Sequence, residues 1–367
     1  MFAPNSRIAL TLAMVVGFSA ACETGTEPED QHSFDSQAAL EDHQAMGVIL
    51  ESDAMAGFRA LGAGITFQGV APELAMALEI GGGLDAPTTP SQARGLAGHL
   101  FSAASKLGPD PLNNPIISVF RRGKTFVYDP DLSRYVIDED RTGAPSTGVR
   151  FILYRPGAEG KPDPSAEVGY ADLIDEGDNS VEEIALRLLV VEGTVTRLDY
   201  RTTLDVMDHG GEITVAGFLQ GDWNKLDFDI KVSGSETAQE NTLDINFEMG
   251  ITSRNFLITG SVSGVENESG EGGEIDLLVQ HGSDSFQVDL SGTSDSIDGT
   301  FDLNGKLFAT VTGDHDAPTF TGATGSPLTL PEMLVLRQII DSTEDVFDFW
   351  EDLLDPVDEL VILAFIL

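Results

Sequence analysis

The chain has 367 residues, of which 41% are hydrophobic, so it is long enough to bury a sizeable core and is not a disordered acidic tail. Its 61 Asp and Glu against 20 Lys and Arg give a formal net charge of −41. The negative electrostatic field of such a chain repels nucleic acid and anionic membrane surfaces, which excludes phosphate-binding functions. The imbalance is greatest in residues 232–367, where Arg254, Lys306 and Arg337 are the only cations apart from histidine.

The first residues predict a targeting segment. Arg7 supplies a positive charge, and the apolar run of residues 8–18 is too short to span a bilayer. Ser19-Ala20-Ala21-Cys22 follows, and Cys22 is the only cysteine in the chain. This segment resembles the lipobox of bacterial lipoproteins, although Ser19 stands where that family usually has Leu. The resemblance implies a signal peptide over 1–21 that is cut before Cys22, and diacylation of the Cys22 thiol. An ordinary secretory signal with an incidental cysteine is the alternative.

Residues 22–33 predict a flexible acidic tether, because they are polar and lack periodicity. In Gram-negative lipoproteins an Asp directly after the acylated cysteine commonly retains the protein in the inner membrane. Glu23 stands there in this chain. The resemblance therefore implies a lipid anchor in the outer membrane, with the protein facing the periplasm or exposed on the cell surface. Two acyl chains suffice for stable anchoring.

Residues 34–108 predict a helical N-terminal segment. Ala38, Ala45, Ile49, Met55, Phe58 and Leu61 fall on a helical stripe, with Ser33 or Ser36 available as an N-cap. A short second helix is expected over 72–78. A third begins after Ser91 and repeats apolar residues at spacings of three and four until Gly108. Such a stripe usually packs against a sheet, and binding of a lipid or a partner is the alternative.

Residues 112–322 predict a large antiparallel β-sheet domain. Apolar and acidic residues alternate with a period of two in the segments 226–232, 243–249, 275–279 and 286–290, so each strand has one apolar face and one wet face. Short Gly-containing links predict a meander. About a dozen strands exceed what an open twisted sheet carries without curling. The expected fold is α+β: a curved meander, half-barrel or barrel-like, covered by N-terminal and C-terminal helices.

Local signals predict individual connections in this domain. Residues 116–121 and 125–128 are expected to form a hairpin around Gly123, and Asn304-Gly305 is a strong hairpin signal. Residues 181–191 fit either a strand or a helix. Thr142-Gly143-Ala144-Pro145 and the strand 149–154 loosely resemble uncharacterised envelope lipoproteins of environmental bacteria, a similarity that implies no activity.

Residues 329–367 predict C-terminal helices that pack on the sheet. Pro331 suits a first helical turn, and an apolar stripe runs from Leu336 to Leu354. Asp355 and Pro356 separate a second helix, which ends in a wholly apolar run over 361–367. That run is too short to span a membrane, so we expect it to be buried.

The sequence contains no recognised catalytic motif. There is no G-x-S-x-G elbow, H-E-x-x-H or Walker loop. The six histidines lack ligand spacing, and Asp314-His315-Asp316 fits a polar turn better than a metal site. The loop from Asp295 to Gly299 lacks the closing glutamate of a calcium loop. We therefore predict no metal, no cofactor and no enzymatic activity.

The leading functional hypothesis is a binding or carrier role, because the expected architecture resembles that of periplasmic lipoprotein and lipid carriers. A hydrophobic ligand or lipid would lie in the concave face of the sheet. The residues expected to line it are Phe228, Ile230, Phe247, Ile275, Leu277, Phe286 and Val288. In the alternative, the same residues form a filled core, and a structural or interaction lipoprotein works through an acidic surface that binds cations or basic partners. The predicted membrane contact is the acylated Cys22.

Overall fold

The computed structural model describes residues 41, 45, 48, 52–63, 117, 119–157, 160–177, 183–207, 210–237, 239–267, 270–293, 295–314 and 317–337. Several sequence predictions lie outside these residues: the signal peptide with Cys22, the tether, the helices over 72–78 and 91–107, and the C-terminal stripe beyond residue 337.

The described chain is dominated by β-strands. Helix α1 spans Asp53–Ala63, a 3-10 turn spans Thr252–Arg254, and residues 330–337 are helical. The fifteen strands are β1 Lys124–Asp129, β2 Arg134–Asp138, β3 Gly148–Pro156, β4 Pro162–Asp175, β5 Glu183–Glu192, β6 Val195–Met207, β7 Gly210–Gln220, β8 Lys225–Glu236, β9 Glu240–Ile251, β10 Phe256–Asn267, β11 Gly270–His281, β12 Asp284–Thr293, β13 Ile297–Leu303, β14 Lys306–Asp314 and β15 Ala317–Gly322.

All fifteen strands belong to one sheet, in which β3 to β15 follow one another in chain order. Each neighbouring pair in this run is antiparallel, as the short links predict. The exception lies at the other edge, where β1 pairs with β3 in parallel and with β2 antiparallel. No pairing joins β15 to β2 among the described residues, so the sheet is not closed. The predicted large antiparallel meander is confirmed, with one parallel pair added.

The structure tests three local predictions in the sheet domain. The predicted hairpin of 116–121 with 125–128 is wrong, because residues 119–123 form a turn and β1 pairs with β2 and β3. Residues 183–192 form a strand, which settles the ambiguity between strand and helix. The Asn304-Gly305 hairpin is confirmed, with φ of 51° and 69° at the two residues.

The main core lies on one face of the sheet, as the period-two pattern requires, and a smaller buried cluster of Tyr128, Ile152 and Tyr154 lies at β1 and β3. In β9 the side chains of Leu243, Ile245, Phe247, Met249 and Ile251 are buried, while the intervening acidic side chains Asp244 and Glu248 are exposed. The neighbouring strands repeat this alternation in register, so their buried side chains form one continuous core cluster. We call this buried surface the inner face and its opposite the outer face.

Helix α1 packs on the inner face at β3, β4 and β5. The Ser52 hydroxyl accepts a hydrogen bond from the Met55 amide at 3.2 Å and caps its N-terminus. The part of the predicted stripe that lies in this helix is confirmed, since Met55, Phe58 and Leu61 are buried in the core cluster. At the end of the described chain, the Glu332 carboxylate accepts hydrogen bonds from the Thr329 amide and hydroxyl, both at 2.7 Å, at the start of the helical residues 330–337, and Leu336 joins the same core. The wider covering of the sheet by helices stays a prediction.

Candidate functional site

The predicted ligand-lining residues all lie on the inner face, on strands β8, β9, β11 and β12. Hydrogen-bond register places Ile230 opposite Phe247, and Leu277 opposite Val288. Gly260 of β10 lies between Phe247 and Leu277 and completes a row across five strands. The predicted lining residues therefore form one contiguous apolar patch. The meander places equivalent positions of successive strands side by side.

These side chains are almost wholly inaccessible to water. Leu277 and Phe286 are 0% exposed, and the values for Ile230, Val288, Phe228 and Phe247 are 1%, 2%, 4% and 5%. Ile275 is partly buried and packs against the same cluster. A void wide enough for an acyl chain would leave its lining open to a water molecule. The patch is therefore covered in this structure, and lining of an open cavity stays a prediction.

Two glycines on the inner face lie beside aromatic residues. A β-carbon on Gly260 would lie 2.5 Å from Cζ of Phe247, so that ring lies directly over the glycine. Gly217 lies between Tyr200 and Phe228 in register, and the centroids of these two rings are 6.1 Å apart. At Gly260 the space beside the glycine is filled by an aromatic ring, which is the packing of a protein interior.

The outer face is divided by charge. On β3 to β6 two arginines are paired with carboxylates in bidentate geometry: Arg150 binds Asp172 at 2.7 Å and 2.7 Å, and Arg187 binds Asp199 at 2.7 Å and 2.6 Å. The Arg150 guanidinium also lies 3.6 Å from the centroid of the Tyr170 ring. This half of the outer face is a network of satisfied ion pairs, a structural arrangement.

Asp172 is a buried carboxylate of this network, with 4% of its surface exposed. Burial raises the pKa of the Asp172 carboxyl, and the hydrogen bonds and positive charge of Arg150 act in the opposite direction. The same hydrogen bonds raise the pKa of Arg150. The pair is thus a buried carboxylate whose charge is compensated by one arginine.

The outer face of β8 to β13 is acidic. Asp276 of β11 and Asp289 of β12 lie directly opposite each other across the pair. Burial, followed by the negative charge of Asp289 and a hydrogen bond with it, raises the pKa of Asp276. Gln287 donates to both oxygens of Asp289 at 3.2 Å. Within the described ranges, no three His, Cys, Asp or Glu side chains come together as a metal site.

The turn between β7 and β8 carries a feature that sequence reasoning missed. Trp223 is 90% exposed there and borders a hollow of about 220 Å³ with Gly221, Asp222 and Asn224. The remaining lining side chains come from the helical residues Glu41, Ala45 and Val48. The only sequence signal was a tryptophan within a polar turn, Gly-Asp-Trp-Asn, where an apolar side chain has no core to enter.

Comparison of the chain with family models, with curated proteins and with solved structures found no match. Of the helices that the structure describes, none is sufficiently long and apolar to cross a bilayer.

Proposed function

We propose that the protein is a lipid-anchored cell-envelope lipoprotein, without enzymatic activity, whose sheet encloses a filled core and which acts through its surface. The observation that carries the proposal is the burial of the predicted lining patch, with Leu277 and Phe286 at 0% exposure. The Phe247 ring over Gly260 supports it, because that position is already filled by the chain's own side chain. The anchoring part depends on the lipobox-like Ser19-Ala20-Ala21-Cys22.

A carrier of lipid or another hydrophobic ligand is the second candidate. It is favoured by the contiguity of the patch, which runs in register from Ile230 through Phe247 and Leu277 to Val288. A ligand would have to displace whatever covers these side chains. Binding would then depend on opening of the protein and would be slow compared with entry into a preformed cavity.

A pair of truncations on one strand separates the two candidates. Leu277 faces the core and Leu278, its neighbour on β11, is half-exposed on the outer face. In a filled core, Leu277→Ala removes packed contacts and lowers the free energy of unfolding by about 2–5 kcal/mol, while Leu278→Ala costs much less. Urea unfolding of both variants measures the difference. Equal small losses would mean that Leu277 borders empty space, which would favour the carrier.

The anchor is tested separately. Mass spectrometry of the protein purified from membranes of a Gram-negative host should find a diacylglyceryl group on Cys22. The Cys22→Ala variant should lack this mass and leave the membrane fraction. An unmodified Cys22 in a processed, membrane-free protein would refute the anchoring and would support the ordinary secretory signal.

A further inference from the structure

The two edge strands of the sheet differ in what lies beside them. At β15 the chain covers part of the edge, since the Gly322 amide donates to the Ser326 carbonyl at 2.8 Å and Thr321 forms a bridge with Pro327. At the other edge, β1 is the only strand partner of β2 among the described residues. Strand β2 contains no proline, so the N–H and C=O groups of alternate residues point away from β1. These groups form an edge on which another strand can pair.

Strand β2 is held firmly in the sheet. All five of its residues are in register with β1. The Tyr135 hydroxyl donates to the Ile152 carbonyl of β3 at 3.1 Å, and the Tyr135 ring meets Phe151 edge to face, with the centroids 5.7 Å apart. The free edge of β2 therefore has a fixed backbone geometry, which lowers the entropic cost of adding a strand.

The sequence of β2, Arg-Tyr-Val-Ile-Asp, is complementary to itself. Antiparallel pairing of two copies around Val136 places Arg134 of each copy opposite Asp138 of the other. Tyr135 comes opposite Ile137, an aromatic pair with a β-branched residue of the kind that stabilises antiparallel strands. A parallel pairing in register would instead place Arg134 beside Arg134 and Asp138 beside Asp138. The charges therefore select the antiparallel arrangement, which has two-fold symmetry.

The side chains that would form these pairs are accessible. Arg134 is exposed and makes no ion pair within the described ranges of the chain. Ile137 is 38% exposed. The Asp138 side chain is 29% exposed and lies 3.5 Å from Arg141, so one carboxylate would serve two guanidinium groups in the pairing. The three central residues of β2 are apolar or aromatic, and the charged residues stand only at its two ends.

Exposed apolar side chains border the same edge. Leu132, in the turn before β2, is 52% exposed. Val119 and Phe120, in the turn before β1, are 67% and 87% exposed and lie near the other end of β2. Antiparallel pairing brings the Leu132 end of one copy beside the Phe120 end of the other. The pairing would therefore cover an apolar surface as well as the strand edge.

The large negative charge of the chain is concentrated far from this edge. Residues 119–175, which include β1 to β4, hold 8 Lys and Arg against 10 Asp and Glu, a net charge of −2 in a chain of −41. Residues 225–303, from β8 to β13, hold 3 against 16, a net charge of −13. Strand β8 lies seven strands from β2, about 34 Å at roughly 4.8 Å per strand. Since the Debye length is about 8 Å at physiological ionic strength, repulsion between two copies is weak at the β2 edge.

We propose that β2 pairs with β2 of a second copy of this chain, antiparallel and centred on Val136, so that the two sheets become one continuous sheet in a symmetric dimer. The partner is a second copy because the order of charged and apolar residues along β2 fits its own reverse. The inference goes beyond the proposed envelope lipoprotein and requires neither the filled core nor the anchor at Cys22. Addition of a strand from a different protein is the competing outcome.

A disulfide trap at the two-fold axis tests the register. Directly opposite residues of antiparallel strands have α-carbons about 4.5–5.5 Å apart, which is within disulfide range. In the Cys22→Ala background, Val136→Cys supplies the only thiol of the full chain. We expect mild oxidation to produce a disulfide-linked dimer on non-reducing gels.

The matched control for this trap is Val127→Cys in the same background. Val127 is half-buried like Val136 and lies opposite it on β1. Two copies of Val127 would lie three strand spacings apart, about 15 Å, which is too far for a disulfide. The control should stay monomeric. Equal cross-linking at the two positions, or none at Val136→Cys, would overturn the proposal.

An exchange of charges tests the symmetry by a separate route. Arg134→Glu alone sets two carboxylates opposite each other at both ends of the pairing, and Asp138→Arg alone sets two guanidinium groups there. Each variant should raise the dissociation constant of the dimer about tenfold or more. An equimolar mixture of the two variants should restore the dimer, because every mixed dimer has opposite charges at both ends.

Sedimentation velocity of the full chain in the Cys22→Ala background measures this association without a lipid anchor. We expect the wild-type β2 sequence to give a dimer, each charge variant a monomer, and the mixture a dimer again. A wild-type β2 chain that sediments as a monomer, or a mixture no more dimeric than its components, would overturn the proposal.

Discussion

The ring of Phe247 lies over the α-carbon of Gly260, on the adjacent strand and directly opposite in register. A β-carbon at Gly260 would stand 2.5 Å from Cζ of the ring and 2.8 Å from the Asp276 carbonyl oxygen. Glycine is required at position 260 because the Phe247 ring occupies the space in which a side chain would lie. This contact therefore supports the proposed filled core.

Gly260→Ala should therefore destabilise the protein. Overpacking of this kind costs about 1–3 kcal/mol, because the ring and the neighbouring backbone must move. The free energy of unfolding in urea measures the loss. Gly272→Ala on β11 is the matched control, since its nearest neighbouring atom is 3.5 Å away, and it should change the stability little. Equal effects at the two glycines would contradict tight packing over Gly260.

Loss of Arg150 should be costly, because it leaves the Asp172 carboxylate buried without its partner. We expect Arg150→Met to lower the free energy of unfolding by about 3–5 kcal/mol at pH 7. Arg141→Met should cost less than about 1 kcal/mol. The reason is that Arg141 and its partner Glu167 are 39% and 45% exposed. Urea unfolding of the two variants compares a buried pair with an exposed one.

The cost of Arg150→Met should also depend on pH. In the variant, burial raises the pKa of Asp172 without opposition from Arg150. A carboxyl whose folded-state pKa exceeds the unfolded value stabilises the fold below the unfolded pKa, and this stabilisation is lost as the pH rises through the folded pKa. The stability deficit of the variant should therefore shrink as the pH falls from 7 towards 3.8, the ordinary pKa of an aspartate. A deficit independent of pH would show that lost packing, not the buried charge, is the cause.

Asp289→Asn should relieve the repulsion on the acidic half of the outer face. The charge of Asp289 and its hydrogen bond help to raise the pKa of Asp276, so the amide should bring that pKa down towards its ordinary value. The variant should gain stability at pH 7, and the gain should disappear in acid, where Asp276 is protonated in both proteins. NMR titration of the Asp276 carboxyl carbon measures the pKa directly.

The control for this titration is Asp244→Asn. Asp244 faces the same side of the sheet but lies opposite Ser233 and Ser263, not opposite a carboxylate. The Asp244→Asn substitution should leave the pKa of Asp276 unchanged. A fall in that pKa with Asp244→Asn as large as with Asp289→Asn would mean that the general negative field, and not the cross-strand pair, sets it.

Arg197→Met should loosen the turn that displays Trp223. The Arg197 guanidinium contacts Glu192, the Gln220 carbonyl and Asp222, so its loss removes three contacts at and beside this turn. Amide hydrogen exchange over residues 221–225 should become faster, while exchange in the middle of β8 stays slow. Unchanged exchange in the turn would show that the Gln220 hydrogen bonds suffice to hold it.

The meander could be predicted from sequence because alternation and short turns act locally. Strand β9 and the Asn304-Gly305 turn follow directly from such signals. Strands β4 and β15 were missed, since Pro162, Pro164 and Pro318 argue against a strand. In the structure Pro162 and Pro164 occupy the irregularly paired start of β4, and β15 is an edge strand, positions where a missing N–H is tolerated.

The parallel pairing of β1 with β3 could not be predicted, because no local signal records which strand a β-hairpin joins. The patch around Leu277 was predictable from period-two alternation, whereas its accessibility was not. Burial of Leu277 depends on what lies above the sheet, and that depends on contacts distant in sequence. The exposure of Trp223 could not be predicted for the same reason, because its turn is held by Arg197 on another strand.

The most direct test of a filled core is mass spectrometry of organic extracts of the protein purified natively from a Gram-negative host, after the mass of the Cys22 anchor has been accounted for. The account predicts no further lipid in stoichiometric amount and no uptake of a fluorescent lipid probe. A stoichiometric lipid, lost on changing Leu277 or Val288 to Asp in protein that remains folded, would contradict it and make the inner face a container.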